Sequence, residues 1–447
     1  MFLTIVFGVI GFGIMVFVHE LGHFLAAKRV GIQVEAFSLG WGKKLVGIDY
    51  KGTNYRISMI PLGGYCRMKG EDPFHTEEAD GKGGFFAAAP WKRIVVAASG
   101  PTANLLFAVL ALTMIWWIGF KTYTDGNRIV LASDYALNGI EAASPASRAG
   151  LQTGDRIVAV DGKKVVNFQD LLEAVATAPE KQLVLAIERS GRTVQVPVVP
   201  ELDRDTGAGR IGVYAWREPL IGEVARGGAA ALAGLEEGDR IVSTAGEPTP
   251  HSIAFYQVLA DRPSEVDVRY ERGGQVRSTT LVLSYSEQGA PELGLTFQVD
   301  AYPSPQFGFF GALSRGAAET WETLTLSIRG IGLLFRGVNL RSAVAGPLRI
   351  TYYVGAVATS GFSLSISQGL VSYFRFLALL SVVLFMINLM PIPALDGGQI
   401  VVFVLEILRR KPLNRQVIAR IQTISFSVII LLAVVITFSD ILFFFGR

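Results

Sequence analysis

The chain has 447 residues, with 41 Lys and Arg against 38 Asp and Glu, four histidines and one cysteine. Half of it is hydrophobic and 18% charged, below the ~25% charge of an ordinary soluble domain; four apolar runs (1–27, 94–120, 376–395 and 421–439) carry one charged residue between them, Glu20. Runs this long and this few exclude a single soluble enzyme, a disordered tail and a porin-like barrel, while a net charge of +3 without a Lys/Arg block gives no sign of a nucleic-acid partner.

The first element in chain order is a predicted transmembrane helix over 1–28. It is not an ordinary signal peptide, because Lys28 and Arg29 follow the apolar run instead of preceding it. The run ends in His19-Glu20-Leu21-Gly22-His23. On a helix, positions i and i+4 share a face, so both imidazoles reach one cation while Glu20 sits beside the open position. A pair of helix-end histidines at the membrane interface would look the same, but ionisable groups inside a membrane helix are costly and usually functional.

Residues 29–93 form a loop, and 28–93 carries eleven Lys and Arg. Within it, 54–60 and 64–68 alternate like strands between Pro and Gly punctuation, and Gly40 and Gly42 are expected to form the turn before them. An exposed strand edge beside a helix-end site is suited to pairing with an extended peptide; a plain hairpin is the other possibility. The second transmembrane helix, 94–120, carries Gly100-Pro101-Thr102-Ala103-Asn104.

Residues 121–300 repeat themselves at an offset of 84. Ala149-Gly150-Leu151, Gly154-Asp155-Arg156-Ile157-Val158 and Gly162 recur as Ala233-Gly234-Leu235, Gly238-Asp239-Arg240-Ile241-Val242 and Gly246. Each copy reads as a short helix, a glycine turn, a buried strand and a second turn, flanked by alternating strands such as 183–187 and 266–270. The pattern resembles the PDZ domain in its permuted bacterial form, with boundaries near 127–215 and 216–300. That resemblance places carboxylate-binding loops at Ile211-Gly212-Val213 and Leu293-Gly294-Leu295, for peptide termini; plain hairpin glycines in two shielding domains are the alternative.

Over 306–338, Arg315, Glu319, Glu322, Arg329 and Arg336 share one helical face with apolar residues covering the rest, an amphipathic helix lying on the membrane or packed against the repeats. Residues 350–374, free of charge and rich in Ser, Gly and Thr, read as a membrane-edge segment rather than a fifth crossing. A third transmembrane helix, 370–395, finishes in Asn388-Leu389-Met390-Pro391-Ile392-Pro393-Ala394-Leu395-Asp396-Gly397-Gly398, where two prolines break it. Asp396 either caps the next helix from Gln399 or joins the histidines on a metal. His75 and His251 have no motif around them. A loop over 396–420 carries five Lys and Arg, and a fourth transmembrane helix fills 421–446. By the positive-inside rule 29–93 and 396–420 are cytoplasmic, and the repeats lie outside.

An H-E-x-x-H in the first membrane helix, G-P-x-x-N in the second and N-x-x-P-x-x-x-L-D-G in the third resemble the site-2 class of intramembrane zinc metalloproteases over nearly the whole chain. Tandem PDZ domains between the second and third crossings are similar to its proteobacterial, sigma-E-regulating branch. The resemblance implies a polytopic α-helical membrane protein with four transmembrane helices, two periplasmic PDZ-like α+β domains and a membrane-associated β element, in a bacterial inner membrane. It implies one Zn2+ per chain on His19, His23 and Asp396, Glu20 as general base, and Asn104 and Asn388 holding substrate near the metal. Helix–helix contact is the competing role for Asn104. The implied substrate is a single-pass membrane protein, an anti-sigma factor already shortened by another protease, and also remnant signal peptides. A PDZ scaffold with idle or haem-binding histidines, and a transporter with broken helices and an intramembrane Asp, fit parts of the same pattern.

Overall fold

The computed structural model describes residues 2–71, 83–135, 144–286, 289–334 and 345–445; His75 and Arg336 lie outside them. The chain divides into two compact units, 1–120 with 304–447, and 121–303.

Among the described residues of the first unit, four helices are long and apolar enough to cross a membrane. They are α1 (Phe2–Val30), α2 (Pro90–Ile118), α5 (Ile366–Asn388) and, within the last helix, Gln416–Leu442. Between α2 and α5 in sequence come α3 (Phe309–Leu334) and α4 (Pro347–Leu364); after α5 come α6 (Asp396–Arg409) and α7 (Arg415–Phe445).

The amphipathic helix α3 packs chiefly on α2 and also on α5. Its polar stripe explains the choice: Glu319 accepts from Trp116 Nε1 and from Arg375 Nε, tying α3 to both neighbours.

Residues 350–374 fall on helix α4, packed between α1 and α5, and on the start of α5; α4 is not among the described helices long and apolar enough to cross a membrane, as expected of a segment that is no fifth crossing. The small residues of α4 are what permit this packing. A Cβ on Gly355 would strike the Thr4 backbone of α1, and one on Gly361 would lie 2.8 Å from Gly369 Cα of α5. Buried Asp440 of α7 accepts from the backbone N–H groups of Gly346 and Arg349 and from Arg349 Nε at 2.9 Å, so one helix caps the start of another.

After α1 the chain forms two long bent strands, β1 (Val34–Tyr50) and β2 (Thr53–Met68). They pair twice: Ala36–Leu39 lies between Asn54–Ile57 on one side and Gly64–Arg67 on the other, while Lys44–Tyr50 pairs with Thr53–Ser58. Four rows result from two strands. Gly40 and Gly42, at φ of +88° and +87°, make the bend inside β1; the turn before Asn54 is Lys51-Gly52. The glycines therefore bend a strand where a turn between strands was expected, because only glycine takes that φ without strain.

The second unit is two copies of one α+β pattern. The first sheet has rows 163–164, 156–160, 183–189 and 192–198 with a helix over Phe168–Ala176; the second has 247–248, 240–244, 265–272 and 275–282 with a helix over Ser252–Leu259. Each copy has its own apolar core. The repeated Gly-Asp is structural: Asp155 and Asp239, nearly fully buried, each accept a backbone N–H (Gln152, Glu236) and a bidentate arginine (Arg189, Arg272). His251 caps the Ser252–Leu259 helix through Nδ1, and burial pushes it down to about 4, so it stays neutral. Lys121–Thr124 pairs antiparallel with Asp300–Pro303, so the unit begins and ends side by side.

Candidate metal centre

Helices α1 and α2 touch closely because both are notched. A Cβ on Gly22 would press on Ser99 and Ala103, and one on Gly100 would enter the His23 imidazole, with Cδ2 at 2.8 Å. Gly100 and Asn104 thus face His23 and His19 as one i, i+4 pair meeting another. His23 Nδ1 donates to the Val96 carbonyl at 2.8 Å, and His19 Nδ1 meets the Asn104 amide at 3.2 Å.

The third component arrives from the other end of the sequence. After α5 ends at Asn388, Pro391 and Pro393 forbid helix, and a tight turn follows in which Ile392 N–H donates to Met390 O and Leu395 N–H to Ile392 O. The turn folds back over the start of α6, where Gly397 and Gly398 have no room for side chains against Leu389 and Ile392 carbonyls. Leu395 is the cap residue and Asp396 the first residue of α6, so the helix starts three residues before the expected Gln399. Its carboxylate turns away from a capping role, to the histidines. Helix α6 is held on α2 by the buried Arg93–Glu406 pair at 2.6 Å, with the Arg93 guanidinium 4.5 Å over Phe403.

His19 Nε2, His23 Nε2 and the Asp396 carboxylate converge. The two nitrogens are 3.2 Å apart; Asp396 Oδ2 is 3.3 Å from His19 and Oδ1 3.6 Å from His23. Tetrahedral zinc with bonds of about 2.0–2.1 Å requires donors about 3.3–3.4 Å apart. The donor set, its spacing and the engaged Nδ1 of His23 fit zinc. Among the described residues this is the one cluster of three His, Cys, Asp or Glu close enough to share an ion.

A cavity of about 750 Å3 opens on this cluster. Glu20 lines it beside the metal position, held by the Cys66 backbone N–H. The row Gly64–Met68 forms one wall, paired with β1 on one side and with no strand partner on the other among the described residues. Asn388 lines the cavity; Asn104, fully buried, lies behind His19 and does not. Glu71 lines it too, its carboxyl pushed up to about 7 by burial against the opposing pull of the Met68 N–H. No spacing in the sequence marked Glu71 or the Val96 carbonyl, since one stands alone and the other is backbone.

The expected loops of the second unit have a shared geometry. Ile211, Leu293 and Leu295 are core side chains, leaving the backbone to face any ligand. Gly212 and Gly294 take φ of +77° and +64°, and their carbonyls accept from Ala132 and Ala225 N–H. Val213 pairs with Leu131, and Leu295 with Val224. A small groove of about 110 Å3 lies between Ile211–Tyr214 and the helix residues Leu171 and Val175.

Comparison with known proteins gives one consistent result. The model for "Peptidase family M50" matches residues 7–432. A putative zinc metalloprotease of Treponema pallidum (strain Nichols) is 37% identical over 99% of this chain and 100% of its own length. The regulator of sigma-E protease RseP of Escherichia coli (strain K12) is 29% identical, covering 97% of both. The zinc metalloprotease RasP of Geobacillus kaustophilus (strain HTA426) is 29% identical over 99% of this chain and 98% of its own length.

Proposed function

This chain belongs to peptidase family M50 and is a membrane metalloprotease, and from that premise we propose that it cuts single-pass membrane proteins within or beside their membrane helix. The observation that carries the proposal is the meeting of two imidazoles and one carboxylate at tetrahedral spacing, with Glu20 alongside. One zinc per chain sits on His19, His23 and Asp396. When bound, it supplies Lewis-acid chemistry, polarising a scissile carbonyl and acidifying water. Glu20 takes the proton on its carboxylate and returns it to the leaving nitrogen. Asn388, on the cavity wall, is placed to donate to a substrate carbonyl without introducing a charge.

A helical substrate hides its peptide bonds, so it must unwind before cleavage. The open edge of Gly64–Met68 supplies backbone partners for an extended segment next to Glu20. The substrate is an anti-sigma factor trimmed beforehand outside the membrane, with remnant signal peptides as a second class; the sigma-E regulators among the relatives favour it. The site faces the cytoplasmic side of the inner membrane and the two PDZ-like domains the periplasm, a reading supported by the positive residues flanking α1, α2 and α6. The test is cleavage of a tagged single-pass reporter by purified protein, with the cut mapped by mass spectrometry. A cut inside the apolar span, abolished by a zinc chelator and restored by zinc, is expected; a cut only in aqueous segments defeats the reading.

The tandem pair acts as a size filter or as a receptor for the trimmed end. Because Tyr123 and Ala301 are already paired, deleting 127–300 joins ends that lie close together. The deletion is expected to admit untrimmed substrate, raising its cleavage to that of trimmed substrate. Unchanged selectivity refutes the filter.

A further inference from the structure

Asn104 is fully buried, and its nearest functional group is His19, not the cavity. Its amide nitrogen stands 3.2 Å from His19 Nδ1, and its amide oxygen is buried with no hydrogen-bond partner. A donor facing Nδ1 requires that ring nitrogen to be bare. The ring proton of a neutral imidazole then sits on Nε2. That is the atom 3.3 Å from Asp396 and 3.2 Å from His23 Nε2, and a protonated nitrogen offers no lone pair to a metal.

A half-turn of the amide reconciles the two demands. Oδ1 then accepts from Nδ1–H, and Nε2 is left with its lone pair directed at the metal position. One amide group lacks a partner in either orientation, so hydrogen-bond counting does not choose between them; the metal does. His23 supplies the internal parallel. Its Nδ1 donates to the Val96 carbonyl, which can only accept, so its Nε2 is already fixed as the ligating atom. Helix α2 therefore presents one acceptor to each histidine, a carbonyl to His23 and a side-chain amide to His19.

We infer that Asn104 is a positioning residue, whose amide oxygen fixes His19 in the Nδ1–H tautomer so that Nε2 ligates zinc, and that it does not hold substrate. This inference rests on the zinc site proposed above. Acceptors on the far ring nitrogen of a metal-bound histidine orient the ring and raise its basicity, and their loss typically costs 10–100-fold in metal affinity.

The test measures zinc affinity of the purified full-length chain by chelator competition, alongside kcat and KM on the membrane reporter. Asn104→Leu keeps the volume and removes the acceptor; it is expected to bind zinc about 10–100-fold more weakly, with KM unchanged once excess zinc restores occupancy. Asn104→Asp keeps an acceptor and removes both N–H donors, so it is expected to hold zinc as the wild type does, with KM unchanged. Wild-type zinc affinity in Asn104→Leu, or a raised KM in fully loaded Asn104→Asp, overturns the inference and returns Asn104 to substrate. If Asn104→Leu fails to fold, Asn104→Asp alone decides, because a donor role and an acceptor role predict opposite results for it. Absence of zinc binding by the wild type overturns the metal site itself, which separates that failure from one confined to the variants.

Discussion

Glu20→Gln retains zinc and loses about 10²–10⁴-fold in kcat, the range that general acid–base catalysis contributes. The substitution is nearly isosteric. Its amide oxygen still accepts the Cys66 N–H, and the three side chains of the candidate metal cluster are untouched. What disappears is a basic oxygen able to take a proton and pass it on. Two measurements on one preparation separate the possible roles: zinc per chain by atomic emission, and turnover on the membrane reporter. Zinc lost together with activity would make Glu20 a ligand. Activity retained with zinc bound would remove the base from the mechanism, and a scaffold or transporter would be indifferent to the change.

Gly100→Ala has the second large effect, though it alters no functional group. The added methyl would occupy the space of the His23 ring, whose Nδ1 is fastened to the Val96 carbonyl on the same helix, so the ring cannot step aside without breaking that bond. The helix pair would have to spread instead, and Gly22 against Ser99 and Ala103 shows no slack there. Zinc affinity is expected to fall by at least the 10–100-fold seen when a ligand's support is lost, with the chain still folded by circular dichroism. Zinc affinity equal to wild type would show that α1 and α2 part more easily than their packing implies. Ala103→Gly, which makes space on the same face, is the control.

Much of the centre was legible because its chemistry obeys local periodicity. His19 and His23 need only a helix to share a face, and Asp396 could be matched to their depth from the charge pattern of the loops. The second half of the centre needed three dimensions. G-P-x-x-N is a recognisable string, yet nothing in it says that its glycine makes room for one histidine and that its asparagine backs the other; that depends on where two helices cross. The double pairing of β1 and β2 was hidden for a different reason. Gly40 and Gly42 look like a turn in one dimension, and they are equally compatible with a strand that bends and continues. Residues 350–374 did not show their helix contacts through composition, because glycine and serine lower hydropathy in the same places where they let helices touch. The repeat was plain from its offset, while the role of its aspartates, as anchors for arginines at the ends of distant strands, was not.

The antiparallel contact between Lys121–Thr124 and Asp300–Pro303 has an evolutionary corollary. A segment whose entry and exit are neighbours is a cassette: it can be lost, doubled or exchanged in one genetic event without re-threading the helices around the metal. Diversification would then fall on the aqueous insert, where new sensing modules can be tried, while the hydrolytic machinery stays fixed.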